Sequence, residues 1–293
     1  MNFRTDLAIE SIQSKKGSIN ISSDEYKFGD VTVSRVLIDN QEISDKLGKP
    51  LGKYVTVEMP TLTEYFRASD ERIKIISDEI KNLIPKEGLA FVIGLGNLEI
   101  TPDALGPKAT NSILATRHIS EEISKSLGLE NLRPVSVLSP GVLGQTGIEA
   151  VELISSIVKD LKPSCVIVID ALASRSLSRL GCTVQISDSG ISPGAGVGNK
   201  RPLINEETLG VPVISIGTPT VVDASTLAND ILYEHTKDSR NKKDISYPDA
   251  ETMIVTPREI DLLIKRASLL IGMSINCALQ PSFSPDDLQS LVS

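Results

Sequence analysis

Asp103 and Asp170 are the residues of this chain whose surroundings best suit them to chemistry. Asp103 lies in the acidic loop Thr101-Pro102-Asp103-Ala104-Leu105-Gly106-Pro107, after the apolar run 89–93 and the turn Gly94-Leu95-Gly96-Asn97. Asp170 closes the run 165–169, the most strand-like piece of the chain. That run does not alternate with polar residues, so it predicts a strand buried on both faces, as in a parallel sheet. The spacing between the two acids suits about two strand–helix units of ~30 residues each. Parallel strands would deliver both carboxylates to one edge of the sheet, where open α/β folds bind ligands. Two acids converging in a dry cleft tend to share one proton. The ionised partner can then draw a proton from water, while the protonated one polarises a carbonyl and protonates the leaving nitrogen. That chemistry is peptide hydrolysis. The competing reading is structural, because an aspartate at a strand end commonly caps a helix or pins a loop.

Other machinery is poorly represented. Gly94-Leu95-Gly96 starts a dinucleotide fingerprint, but Glu99 stands where the third glycine belongs. No Gly-Lys-Ser or Gly-Lys-Thr follows to make a phosphate loop. A nucleotide- or anion-binding module remains the alternative from another class, using these glycines and the Gly-rich loop 187–199. A nucleophilic serine needs a histidine base, and the chain has only His118 and His235. His118 reads as a helix-end cation. Gly272-Met273-Ser274-Ile275-Asn276 lacks the second glycine of a nucleophile elbow. There is no HExxH motif, and Cys165, Cys182 and Cys277 form no CxxC pair, so no metal site or cofactor is expected.

Charge and composition narrow the partners. A net charge of −8 lacks the basic footprint of a nucleic-acid binder. With 3% aromatic residues and no tryptophan there is no stacking platform for single strands either. An acidic surface favours a basic protein substrate through its field. The N-terminus, MNFRTDLAIESIQSKKG, has no apolar core of signal-peptide length, and no uninterrupted apolar run reaches membrane-span length. Together with the unpaired cysteines, this predicts a cytoplasmic protein that does not engage a membrane.

The elements that must position the acids follow from periodicity and turn residues. Ile19, Ile21, Val31, Val33, Val36 and Ile38 predict short strands around a turn at Phe28-Gly29-Asp30. The stretch 48–58 reads as a turn feeding a strand, with Lys49 and Lys53 in a solvated loop. Ser69 is placed to cap a helix with Asp70 and Glu71 in its first turn and Ile73, Ile76 and Ile80 on its apolar face. A helix carrying Ala109, Ile113 and Leu114 is expected after the acidic loop, and a strand at 134–138. Beyond the loop 139–145, Thr146 and Glu149 form a capping box for a helix burying Ile148, Val151, Ile154 and Val158. Another strand is expected at 182–186, then the long loop 187–199, of a length typical of mobile functional segments. A last strand at 211–216 ends in a turn at Gly217-Thr218-Pro219, and the mixed-charge stretch 237–244 reads as solvated surface. A second capping box, Thr256 with Glu259, opens a long helix burying Leu263, Ile264, Ala267, Ile271 and Ile275. Strands alternating with helices predict a single α/β domain over 1–293, a mainly parallel sheet covered by helices on both faces.

Several of these motifs occur in one order that resembles the spore germination protease family. They are Arg4-Thr5-Asp6-Leu7-Ala8-Ile9-Glu10, the stretch 48–58, Gly94-Leu95-Gly96-Asn97 with Thr101 to Pro107, and Ser139-Pro140-Gly141-Val142-Leu143-Gly144. Ile169-Asp170-Ala171-Leu172-Ala173-Ser174-Arg175, the stretch 185–199 and Val255-Thr256-Pro257-Arg258-Glu259-Ile260-Asp261 complete the set. The resemblance spans about residues 4–280. It implies an aspartic-type endopeptidase that degrades small acid-soluble, DNA-coating spore proteins in the forespore or spore core during germination. It also implies a homotetramer made as a zymogen that removes its own N-terminal propeptide. The family's two implicated acids match Asp103 and Asp170. Thr5 to Glu10 resembles the site the family cuts, which makes the bond between Asp6 and Leu7 the expected processing site and 1–6 a short propeptide. Asn97, Arg175 and Asp188 are candidate supporting groups. The stretch 94–106 is also similar to the Gly-x-Gly-Asn-plus-acid pattern of hydrogenase-maturation proteases. That similarity implies the hydrogenase-maturation-protease/phosphorylase-like fold and carries a further alternative, a nickel-linked maturation protease.

Overall fold

A computed structural model of the chain describes residues 5–15, 21–67, 69–126, 129, 131–194, 202–228 and 253–292. Its strands are β1 (Ser23–Phe28), β2 (Val31–Ile38), β3 (Gly52–Glu58), β4 (Ala90–Gly94), β5 (Val135–Leu138), β6 (Cys165–Ser174), β7 (Thr183–Ser187), β8 (Val213–Asp223) and β9 (Ile254–Val255). In the N-terminal half the helices are α1 (Ala8–Ser14), α2 (Gln41–Leu47), α3 (Glu71–Lys81), α4 (Leu105–Thr110) and α5 (Glu121–Ser126). Then follow α6 (Leu143–Thr146), α7 (Ala150–Leu161), α8 (Glu206–Leu209), α9 (Ile260–Leu279) and α10 (Pro285–Val292). Residues 16–20, 195–199 of the Gly-rich loop, and the stretch 237–244 lie outside the described residues.

The strands form one sheet in the order β1-β2-β3-β7-β8-β6-β4-β5, with β9 on β8. β5, β4, β6 and β8 run parallel. The other half is antiparallel: β1 to β2, β2 to β3, β3 to β7, β7 to β8 and β8 to β9. A mainly parallel sheet is therefore corrected to a mixed one. The reason is connection length. The two-residue turn at Gly29-Asp30 can only make a hairpin, and the stretch from Arg175 to Cys182 is too short for the crossover that a parallel return requires.

Helices cover both faces, and β6 shows how. Cys165, Ile167 and Ile169 enter the larger core with α3, α4 and α9, whereas Val166 and Val168 pack with Ile154 and Val158 of α7. Successive strand residues point to opposite faces, and with both faces dry the run loses all polar alternation. A third cluster seats α1 and α2 through Ala8, Val36, Ile38, Leu47 and Tyr54. α9 has the length and mean hydropathy (1.5) of a membrane span, yet its sequence is broken by Asp261, Lys265 and Arg266. It packs on α3, α4 and α10 as a core helix.

Several local expectations shift by a few residues or more. Asp70, not Ser69, caps α3, its carboxylate accepting the Arg72 N–H at 2.9 Å. Thr146 ends α6 instead of opening α7, and Ile148 is exposed. Thr256 donates to the Thr220 carbonyl, at 2.8 Å, and the long helix begins at Ile260. Helix α4 stops at Thr110, so Ile113 and Leu114 follow it and His118 lies in a turn. Most consequential, β8 runs straight through Gly217-Thr218-Pro219, and β6 continues past Asp170 to Ser174. Pro219 is tolerated because the β6–β8 register shifts between Leu172 and Ala173, beside it.

Candidate active site

Asp170 sits in mid-strand, at the point where β6 loses a neighbour. The β4 ladder ends at the pair Gly94–Ile169, so among the described residues no strand flanks the stretch from Asp170 to Ser174 on that side. β8 holds the other side throughout, pairing Asp170 with Gly217. The Asp170 carboxylate is 5% exposed and accepts the Ala171 N–H at 2.9 Å. The chain leaving β4 crosses this gap: the Leu95 N–H donates to the Ile169 carbonyl at 2.8 Å. It then loops back through a short 3-10 turn, Thr101–Asp103, that carries the second acid.

Asp103 is anchored from three directions. Its Oδ2 accepts the Asn97 N–H at 2.7 Å, its own N–H donates to the Ile100 carbonyl at 2.8 Å, and the neighbouring Pro102 carbonyl accepts the Thr220 hydroxyl of β8 at 2.8 Å. Gly96 makes the loop possible. At φ +121° it takes a conformation that suits glycine, and a Cβ there would overlap the Asp103 carbonyl oxygen.

Asp103 and Asp170 line one cleft of about 250 Å³, together with Asp6, Ile100, Val142 and Thr220. An adjoining polar cavity of about 190 Å³ shares Asp6 and Asp170 and adds Lys49, Gln185 and Gly217. The sequence therefore placed both acids at one site, but by a different geometry from two strand ends. Asn97 belongs to the same loop, its side-chain oxygen accepting from Gln145 at 2.7 Å and from the Glu99 N–H at 3.0 Å. Arg175 follows β6, where its N–H donates to Glu10 at 2.7 Å. Asp188 lies outside the lining of either cavity and pins the start of β3 by accepting the Lys53 N–H at 2.7 Å.

The N-terminal segment reaches into this cleft. Asp6 adds to the open side of β6, its N–H donating to the Ala173 carbonyl at 2.9 Å and its carboxylate accepting the Ala173 N–H at 2.8 Å. Leu7 and Ala8 are fully buried. Glu10 accepts the N–H groups of Arg175 and Ser176 and pairs with Arg179 at 3.5 Å. Lys49, expected in a solvated loop, is half-buried and donates to the Thr5 carbonyl at 2.8 Å. Its ammonium is pushed down by burial, with Asp6 and Glu10 opposing. Lys49 and Gln185 fall within the family-like stretches 48–58 and 185–199, yet sequence reasoning gave neither a role, because nothing local marks either as facing Asp6. The only signal was a lysine between two turn residues and a glutamine among the alternating polar positions of a short strand.

Burial also raises the Asp6 carboxyl above its ordinary value, outweighing the Lys49 ammonium and the Ala173 N–H. A raised value means the docked segment prefers the protonated acid. Docking is therefore expected to be strongest below the usual carboxylate range and to weaken as pH rises through the raised value. Hydrogen exchange of the α1 amides, corrected for intrinsic rates, should show less protection at neutral than at mildly acidic pH. Asp6→Asn should flatten that dependence; an unchanged profile in the variant would assign the effect elsewhere.

Comparison with known proteins places the chain in a family. Residues 4–247 match the family model described as germination protease. Curated germination proteases of Clostridium perfringens and Caldanaerobacter subterraneus are each 41% identical to the chain, with 99% and 100% of it covered and 99% and 98% of the relatives. The germination protease of Bacillus cereus is 42% identical over 78% of this chain and 65% of its own length. Among solved structures, the NiFe hydrogenase maturation protease HycI from Thermococcus kodakarensis aligns with a TM-score of 0.39 and 16% identity, covering 69% of this chain and 98% of its own. That likeness is too distant to argue from. With a family model spanning most of its length and relatives matched nearly end to end, the chain belongs to the germination protease family.

Proposed function

We propose that this chain is the endopeptidase that opens the degradation of small acid-soluble, DNA-coating spore proteins during germination, working by an aspartic-type mechanism. The observation that carries the mechanism is that Asp103, from the loop after β4, and Asp170, from β6, line one cleft. In the reading we favour, the ionised member takes a proton from water as the water attacks the peptide carbonyl. The protonated member hydrogen-bonds the carbonyl oxygen and then supplies the proton for the leaving nitrogen.

Self-processing between Asp6 and Leu7 fits the same cleft, because Asp6 lines it. Leu7 and Ala8 are buried, so a cut there would free residues 1–6 and leave α1 seated. The zymogen form, a homotetramer and a forespore or spore-core location are part of the same proposal, resting on family membership. A net charge of −8 suits a basic protein substrate. The test is incubation of the purified chain with a purified small acid-soluble spore protein, followed by intact-mass spectrometry of both partners. Discrete internal fragments of the substrate and loss of residues 1–6 from the enzyme are expected. A substrate left whole under conditions where the chain is folded would overturn the proposal.

A further inference from the structure

The second cavity contains a side chain that grips the peptide backbone on both sides of the bond between Asp6 and Leu7. Gln185 donates from Nε2 to the Asp6 carbonyl oxygen at 3.0 Å, and its Oε1 accepts the Ala8 N–H at 2.7 Å. These two bonds fix which way the amide faces. Gln185 is 8% exposed and lies in the middle of β7.

Its position relative to Asp170 follows from the sheet register. Gln185 pairs with Gly217 on β8, and Gly217 pairs with Asp170 on β6, so the three stand in one row across adjacent strands. Residues in a row point to the same face. Val184, Ile186, Ile169 and Ile216 all enter the larger core, so Gln185, Gly217 and Asp170 face away from it. Glycine in the middle of the row keeps the space between the two side chains open. A Cβ at 217 would overlap the Asp170 carbonyl oxygen and crowd the Leu172 side chain. Asp6, Asp170, Gln185 and Gly217 accordingly line one cavity.

We propose that Gln185 is a catalytic hydrogen-bond donor, its Nε2–H held against the oxygen of the peptide carbonyl that is hydrolysed, with Oε1 fixing the N–H two residues further along. This inference rests on the endopeptidase reading and on Asp6 carrying the carbonyl that is cut. As water adds to that carbon, one water proton passes to the ionised aspartate and negative charge grows on the carbonyl oxygen, which the protonated aspartate meets with its own proton. When the carbon–nitrogen bond then breaks, the nitrogen leaves with a proton returned by the pair. A preoriented neutral donor at that oxygen favours the charged transition state over the ground-state carbonyl, which is the effect that raises kcat. Gln185 stands between Thr183 and Ser187 on the polar face of β7, and the row opposite Asp170 is suited by a donor that carries no charge.

The test uses the full chain, with kcat and KM on the peptide Thr-Asp-Leu-Ala-Ile-Glu and the first-order rate of self-cleavage read by mass. Gln185→Leu is expected to lower kcat about 100-fold or more with KM little changed. Gln185→Glu keeps the shape and should be at least as impaired at neutral pH, where a carboxylate would face the growing oxyanion. Its activity relative to wild type should recover as pH falls, because a protonated glutamate again offers a donor. A purely structural clamp would instead lower the melting temperature without moving kcat or this pH ratio. If wild type cleaves and both variants keep its kcat, the donor role is overturned while the endopeptidase reading stands. If folded wild-type chain cleaves neither the peptide nor itself, both are overturned together.

Discussion

Asp103→Asn and Asp170→Asn are each expected to lower kcat about 10³-fold or more while leaving the protein folded, the former magnitude being that of a lost general acid or base. Amide oxygens can keep the structural bonds these carboxylates make. Asn at 103 can still accept the Asn97 N–H, and Asn at 170 can still accept the Ala171 N–H. What the substitutions remove is the proton traffic of the pair. Because the two act as one unit, the double variant should be little worse than either single one. The measurement is steady-state hydrolysis of a small acid-soluble spore protein, with self-processing between Asp6 and Leu7 followed in parallel. Thermal unfolding of each variant supplies the control for folding. Substantial cleavage by either well-folded single variant would remove the carboxylate pair from the mechanism.

Gly96→Ala should damage both stability and turnover. A methyl group at this position meets the Asp103 carbonyl oxygen, and φ +121° is already unfavourable for any residue with a Cβ. The backbone of the 95–103 loop must move, and Asp103 moves with it. A loss of about 3 kcal/mol is expected from strain of this kind, read by denaturant titration. Turnover should fall further than the unfolded fraction explains, because the displaced residue is one of the pair. Gly144→Ala supplies the comparison, since nothing lies within 4 Å of a Cβ there. It should leave both quantities near wild type. Equal behaviour of the two variants would mean that the loop tolerates repositioning and that the Asp103 geometry is less exacting than the structure indicates.

Much of the frame was legible from local pattern. The run ending at Asp170, the run ending before Gly94, the hairpin turn at Gly29-Asp30 and the apolar face of α3 all form where their periodicity and turn residues place them. Burial on both faces of β6 was readable because only a strand between two helical layers can dispense with polar alternation. The Thr-Pro-Asp loop announced a carboxylate beside the sheet crevice, and the order of motifs announced the family.

Other features depend on neighbours far away in the chain. Gly217-Thr218-Pro219 reads locally as a turn, yet pairing with β6 carries β8 through it, β7 adding support as far as Gly217, and a register shift absorbs the proline. Asp170 reads as a strand terminus, yet β8 extends the strand four residues beyond it and leaves an open side for Asp6. No local pattern specifies that Gln185, Gly217 and Asp170 share a row, because lateral strand order arises from connections, packing and hydrogen bonding of the whole sheet. Sequence alone thus determined where most strands and helices lie and which acids are candidates, though not where each element ends, since propensity and periodicity act over a few residues. Only the tertiary structure decided which of them face one another across the cleft, because that depends on contacts between segments as distant as Asp6 and Gln185.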